Sequence, residues 1–336
     1  MPRLTRHTIV LIIGAALFVL LPPISSAIGH SFFISTASRI LIYALAAVSL
    51  DLILGYGGLV SFGHAAYFGI GSYVVGILAF HAADGSAFLS WPFTINGTDL
   101  AVLAWPAAIV ISALAALAIG AISLRASGVF FIMITLAFAQ MIYYLFQSLE
   151  GYGGDDGLNL INRNSFPGLD LRDDTSFYYV CLALLLGFVL LCRMLVNSRF
   201  GMVLQGCKEN ERRTLALGIP TYRYKLTAFV IAGAGAGLAG ALLTNQTLFV
   251  SPHVMEWRVS GEIMIMVILG GMGTLVGPIV GAMVFLLLSE FLGVRSLFGN
   301  MADHWQFVLG AILILVVLYA PQGLHGWIFG RARAHG

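Results

Sequence analysis

Four ionisable residues stand in or beside the apolar stretches of this chain: Asp51, His64, Glu262 and Glu290. A charged side chain at the centre of a lipid-embedded helix costs at least about 2.5 kcal/mol. Each of the four is therefore either a helix-end residue near headgroups or part of a path for polar solutes. Asp51 and Glu262 suit the first reading. His64 lies among glycines and is either a hydrogen-bonded structural histidine or a path residue. Other chemistries lack their motifs. The two lysines, Lys208 and Lys225, do not precede Ser or Thr, so there is no G-x-x-x-x-G-K-[ST] phosphate loop. Neither H-E-x-x-H nor G-x-S-x-G occurs. Cys181, Cys192 and Cys207 have no metal or disulfide spacing and read as small packing residues. An intramembrane enzyme is thus disfavoured. An ion-coupled secondary transporter would need carboxylates in the substrate path, and spacing pairs none of them with a basic residue inside the membrane.

Two glycine-rich stretches break the apolar pattern. "LGYGGLVSFGHAAYFGIGSYVVG" starts at Leu54 and holds Gly57, Gly58 and Gly63 beside His64; "LGGMGTLVGPIVGA" starts at Leu269 and holds Gly270, Gly271 and Gly273. Irregular backbone at membrane depth is tolerated only where it is buried in protein or lines a water-filled cavity. These residues form either a translocation path through interrupted helices or a close helix contact through small residues. A third run, "AGAGAGLAGA" from Ala232, reads as packing.

The elements that position these residues follow from composition. The chain has 336 residues, 59% hydrophobic and only 10% charged. Soluble domains carry roughly 25% charged residues, so this is a polytopic membrane protein. A net charge of +2 gives no reason to expect nucleic-acid binding. Apolar segments of spanning length predict helices over 8–28, 38–55, 59–81, 100–123, 128–149, 176–196, 226–247 and 304–320. Arg3 and Arg6 before the first segment imitate a signal peptide, but the many later spans favour an uncleaved helix. Residues 261–292 are too long for one span and read as two short helices around the glycine break. The fold class is all-α: a single transmembrane domain over 1–336, a helical bundle with glycine-rich broken helices.

The seventeen lysines and arginines orient the bundle. With the N-terminus cytoplasmic and 261–292 crossing and returning, twelve fall inside: Arg3, Arg6, Arg125, Arg193, Arg199, Lys208, Arg212, Arg213, Arg223, Lys225, Arg331 and Arg333. Five fall outside: Arg39, Arg163, Arg172, Arg258 and Arg295. Outer loops 82–99 and 150–175 are acidic and rich in turn-forming residues, the second long enough for a docking surface. Loop 197–225 is the sizeable cytoplasmic segment and carries the charged run "KENERR". There "NERRTLALG" predicts a short helix, with Asn210 as N-cap, Glu211 at the positive end of the dipole, and a stop at Gly218 before Pro220. So many charges must face water or another protein.

Three stretches together, "DLILGYGGLVSFGHAAYFGIGSY", "GCKENERRTLALGIPTYRYKLTAFVIAGAGAGLAGAL" and "ILGGMGTLVGPIVGA", resemble the branched-chain amino-acid ABC transporter permeases, most closely the LivM type, over about residues 38–322. The resemblance implies a multi-pass subunit of a bacterial inner membrane, among membrane lipid. It pairs with a second, LivH-like permease and is driven by two cytoplasmic ATPases that bind ATP and Mg. A periplasmic binding protein supplies leucine, isoleucine or valine; urea and short-chain amide importers use similar permeases. By the same resemblance a short cytoplasmic helix couples to the ATPase through Lys208, Glu209, Asn210, Glu211, Leu215, Ala216, Leu217 and Gly218. Arg212, Arg213 and Thr214 depart from the family's small or apolar residues at those places.

Overall fold

The computed structural model describes residues 18–23, 31–85, 87–89, 95–293, 305–319, 323–324 and 326. The 8–28 segment and the "RAR" tail thus lie wholly or mostly outside the described residues. Helix α1, Ser31–Asp51, continues through a π-helical turn, Leu52–Tyr56; α2 is His64–Asp84, α3 Ala101–Ser123 and α4 Val129–Gln147. Then come α5, Asp174–Val196; α6, Arg199–Ala216; α7, Thr221–Thr247; α8, Trp257–Gly270; α9, Gly277–Leu292; and α10, Trp305–Tyr319. Among the described residues six helices are long and apolar enough to cross a membrane: Phe33–Tyr56, α2, α3, α4, α5 and α7. The chain is a multi-pass membrane bundle.

Packing sorts these helices by side-chain size. Helices α1, α2 and α7 form the centre, where α7 touches all of α1, α2 and α3. Its "AGAGAGLAGA" run is the reason. A Cβ on Gly71 would strike the Gly237 carbonyl, and one on Gly240 the Phe68 carbonyl, so the α2 and α7 backbones touch directly. Hydroxyls tie the same contact: Ser72 Oγ donates to the Gly240 carbonyl at 2.9 Å and Thr244 Oγ1 to the Ser72 carbonyl at 3.1 Å. This is small-residue packing with polar glue, as lipid-embedded helices require. Helices α3, α4 and α5 lie outside and present apolar side chains such as Leu114, Phe130 and Leu190 outward.

Chain direction alternates, giving the bundle two ends. One carries the α1–α2, α3–α4 and α5–α7 connections with most of the basic residues, and is called the basic end below. At the opposite, acidic end, the loop after α4 is built rather than merely solvated. Strand β1, Leu158–Asn159, pairs antiparallel with β2, Phe249–Val250, in register Leu158 with Val250. Arg163 donates to the carbonyls of Asn245 and Leu171 and pairs with Asp174 at 2.6 Å, its guanidinium over the Phe177 ring. Buried Asn164 and Asn245 bond each other reciprocally at 2.7 and 2.8 Å. Asp173, the N-cap of α5, accepts from the Ser176 amide at 3.0 Å, which holds its carboxyl below the ordinary value.

Residues 261–292 form two short helices, as the sequence predicts, with the first beginning earlier, at Trp257. At about 1.5 Å per residue, the 14 residues of α8 and 16 of α9 span roughly 21 and 24 Å, short of a hydrocarbon core of about 30 Å. Their outer ends lie together, since Arg39 of α1 pairs with Glu290 of α9 and also lines one cavity with Glu262 of α8. The segment therefore turns back on itself as a hairpin of two short helices. The predicted span 59–81 needs correcting. Residues 57–63 are not helical, and α2 runs from His64 to Asp84, because the glycines precede the helix instead of interrupting it.

Candidate functional site

Helix α6 is the basic end's most exposed element, and one residue divides it. Asn210 leaves helical geometry at φ −156° and ψ 95°, ending one helix and capping the next. Its Oδ1 accepts from the Arg213 amide at 3.0 Å, the N-cap bond expected of that residue. The second half stops at Gly218, whose φ of +80° suits a residue without Cβ, and the Gly218 amide bonds the Leu215 carbonyl at 2.9 Å. Thr214 turns inward and bonds back to the Asn210 carbonyl. Leu215 and Leu217 are 51% and 74% exposed on this short helix, with Arg212, Arg213 and Ala216 also exposed. Glu211 serves less as a dipole partner than as an anchor. It pairs with Lys225 of α7 at 2.6 Å and accepts from Thr221. Burial pushes the Cys207 thiol above its ordinary range, so it is an inert packing group beside these charges.

The first half of α6 reaches the glycine stretches. Lys208 Nζ donates to the Gly55 carbonyl, in the π-helical turn, at 2.6 Å. The Lys208 stem occupies the place a Cβ of Gly58 would need, and a Cβ on Gly57 would strike the Ile53 carbonyl. Beside this turn, buried Asp51 accepts from the Gly273 amide through Oδ1 at 2.8 Å. Its Oδ2 has no hydrogen-bond partner among the described residues. A Cβ on Gly55 would collide with both Asp51 and the Gly273 amide, so the two glycine stretches meet backbone to backbone. Thr274 closes the turn between α8 and α9, donating to the Gly271 carbonyl at 2.7 Å and accepting from Gly277 at 3.2 Å. Gly323 lies against Gly270 and Gly271 from beyond α10. A cavity of about 360 Å³ opens between Gly57, Gly58, Arg125, Lys208, Glu211 and Lys225.

Residues 57–63 then lead into the start of α2. His64 is fully buried, and its Nε2 lies 2.8 Å from Ser49 Oγ. The Ser49 hydroxyl also donates to the Ala46 carbonyl at 2.7 Å, so Ser49 links the imidazole to the α1 backbone. Ser260 of α8 supplies the cap that α2 lacks from its own residues. Its Oγ donates to the Phe62 carbonyl at 2.7 Å and accepts from the Ala65 amide at 2.8 Å. Gly63 approaches the Thr135 carbonyl of α4. The start of α2 is thereby capped from α8, with α1 and α4 close beside it.

Comparison with known proteins decides the family. The family described as "Branched-chain amino acid transport system / permease component" matches residues 32–317. The chain belongs to this family. It is an ABC-transporter permease. The permease is 27% identical to the high-affinity branched-chain amino acid transport system permease protein LivM of Escherichia coli, over 87% of this chain and 69% of that one. It is 26% identical to LivH of the same organism, over 84% and 91%. It is 23% identical to a probable LivM of Methanocaldococcus jannaschii, over 84% and 90%. No solved structure matches the chain.

Within the permease the singled-out residues fall into two groups. Gly57, Gly58, Gly270, Gly271 and Gly273 gather at the basic end with Lys208, whereas Gly63 and His64 lie deeper. Glu209, Asn210, Glu211, Leu215, Ala216, Leu217 and Gly218 follow Lys208 along the surface helix. Glu262 of α8 and Glu290 of α9 lie apart from both groups and line one cavity. Spacing pairs none of these carboxylates with a basic residue, but the fold brings Arg39 and Glu290 to 3.1 Å. They are 251 residues apart in sequence, a distance that spacing cannot reveal. Ser49, Ser260 and Thr274 were missed as well. Their signal is a hydroxyl in an otherwise apolar helix or beside a glycine break.

Proposed function

We propose that the permease is the membrane subunit of an ATP-driven importer of branched-chain amino acids in a bacterial inner membrane. It pairs with a second permease, is driven by two cytoplasmic ATPases, and receives substrate from a periplasmic binding protein. The basic end is the cytoplasmic one, with the N-terminus on that side, in accord with the positive-inside rule. One observation carries this reading: a capped surface helix with Leu215 and Leu217 exposed, whose preceding half holds the glycine break through Lys208. Apolar side chains exposed on a charged surface mark a docking site. Movement of an ATPase against residues 211–218 would pull on Lys208. The pull would pass through Gly55 and the π-helical turn to Asp51, and from Asp51 to Gly273 between α8 and α9. Small glycine-lined contacts let that turn slide without colliding side chains. The test uses the permease reconstituted with its partner permease, ATPases and binding protein. Liganded binding protein should stimulate ATP hydrolysis and leucine uptake in the native complex. In Leu215→Ala with Leu217→Ala both should be lost while the two permeases still assemble. Retained stimulation would place the ATPase contact elsewhere, and uptake of urea without leucine would move the substrate class.

A further inference from the structure

A second cavity, of about 420 Å³, opens between α1, α8 and α9 near the acidic end, well away from the coupling helix. Arg39, Tyr43, Glu262 and Glu290 line it, with Phe285 and Leu286 as an apolar wall. Its size falls within the roughly 300–1,000 Å³ of small-molecule sites. Arg39 and Glu290 pair at 3.1 Å, with side chains 46% and 38% exposed, so their pair forms a wall of the cavity and is not sealed in the core. Glu262 lies on the sixth residue of α8 and accepts no hydrogen bond among the described residues.

The charge count does not fit a simple helix staple. Arg39 is bonded to Glu290, and Arg258, which also acts on Glu262, is bonded to Glu256, so Glu262 has no arginine to itself. The surplus carboxylate suits a ligand cation, and the Arg39 guanidinium presents paired donors that match a ligand carboxylate. A ligand carrying both charges exchanges one ion pair for two. Its carboxylate takes Arg39, and its ammonium takes Glu290, so released, together with Glu262. Its side chain is left against Phe285 and Leu286.

We propose that this cavity binds the ammonium and carboxylate groups of a zwitterionic amino acid on its way through the permease. The proposal rests on the amino-acid import reading above. The headgroup of phosphatidylethanolamine carries the same pair of charges, so the experiment separates the two sources. Radiolabelled leucine uptake and ATP hydrolysis are measured with the complete reconstituted transporter, in phosphatidylcholine–phosphatidylglycerol vesicles with and without phosphatidylethanolamine. In Glu262→Gln, uptake should fall at least tenfold while binding-protein-stimulated ATP hydrolysis stays within twofold, alike in both lipid mixtures. The charge swap Arg39→Glu with Glu290→Arg restores an ion pair but reverses the site, and uptake should stay at least tenfold down. Recovery of uptake in the swap would reduce the pair to a staple. Unchanged uptake in Glu262→Gln would also overturn the proposal, as would equal loss of uptake and ATP hydrolysis. So would a defect confined to vesicles containing phosphatidylethanolamine. A native complex that carries urea but no leucine would overturn the import reading itself, an outcome visible before any variant is made.

Discussion

The two ends of the bundle are held by different kinds of contact. At the acidic end, Arg163 binds two carbonyls and Asp174 while Asn164 and Asn245 bond reciprocally, so a long loop is locked onto α7. At the basic end, α6 is tied to the helices it touches by Lys208 on one carbonyl and Glu211 on α7, and its second half projects with two exposed leucines. Multiple charge-assisted bonds on a nearly buried group fix a position; single bonds from half-exposed side chains hold one position among several. The contrast places stiffness where a binding protein would land and compliance where an ATPase would push.

The largest stability effect is expected at the acidic end. Arg163→Ala leaves Asp174 and two carbonyls without their donor and should cost about 3 kcal/mol, since bonds to charged groups contribute roughly 1.5–3 kcal/mol each. Thermal unfolding in detergent measures this, and an unchanged midpoint would erase the contrast. At the glycine break, Gly271 has φ +118° and ψ 107°, a conformation leucine adopts with strain. Gly271→Leu should therefore cost about 1–3 kcal/mol yet insert normally, with severe loss of uptake. Gly63→Leu, beside the Thr135 carbonyl, should behave likewise. Full transport with leucine at both positions would make the close approach irrelevant to function.

At the basic end stability and coupling should separate. Lys208→Met removes a single partly buried bond from a charged group, worth about 1.5–3 kcal/mol, but should uncouple ATP hydrolysis from uptake. If hydrolysis stays coupled, the path from α6 to Gly273 runs through other residues. The smallest effect is on pH dependence at the acidic end. Asp173 is held below its ordinary 3.8 by the Ser176 amide, and Glu256 below 4.5 by the His253 hydrogen bond first and Arg258 after it. Both are lowered on folding, so their contribution is complete above the ordinary values and disappears as pH falls through the depressed ones. Acid unfolding between about pH 5 and 3 should become shallower in Asp173→Asn with Glu256→Gln. An unaltered profile would show that other carboxylates govern acid stability.

Local features were legible in the sequence because their causes are local. Hydropathy located most of the spans to within a few residues, and the proline and glycines of 270–278 marked the return between α8 and α9. Asn210 and Gly218 were readable as cap and stop because each bonds within three residues of itself. The contacts that make a site were not legible. Lys208 meets Gly55 across 153 residues, and Ser260 caps α2 across 195. Nothing in helical periodicity selects those partners. The non-helical run 57–63 was hidden for a related reason: Leu59, Val60 and Phe62 keep hydropathy high while Ser260 of a distant helix satisfies the broken backbone.

The direct contact of α2 with α7 also sets an order of events during synthesis. Ser72 finds Thr244 only after a further 172 residues have been made. At roughly 5–20 residues per second that is a wait on the order of 10–30 s. Throughout it, Ser72 has only the bond to its own helix at Phe68, the start of α2 lacks its α8 serine, and Gly71 leaves bare backbone on the face that α7 will cover. A lone helix of that kind is a poor match for lipid, so nascent α2 must shelter against α1 or the insertion machinery until α7 emerges. Ribosomes stalled before α7 should therefore leave α2 bound to that machinery, and those stalled after α7 should release it.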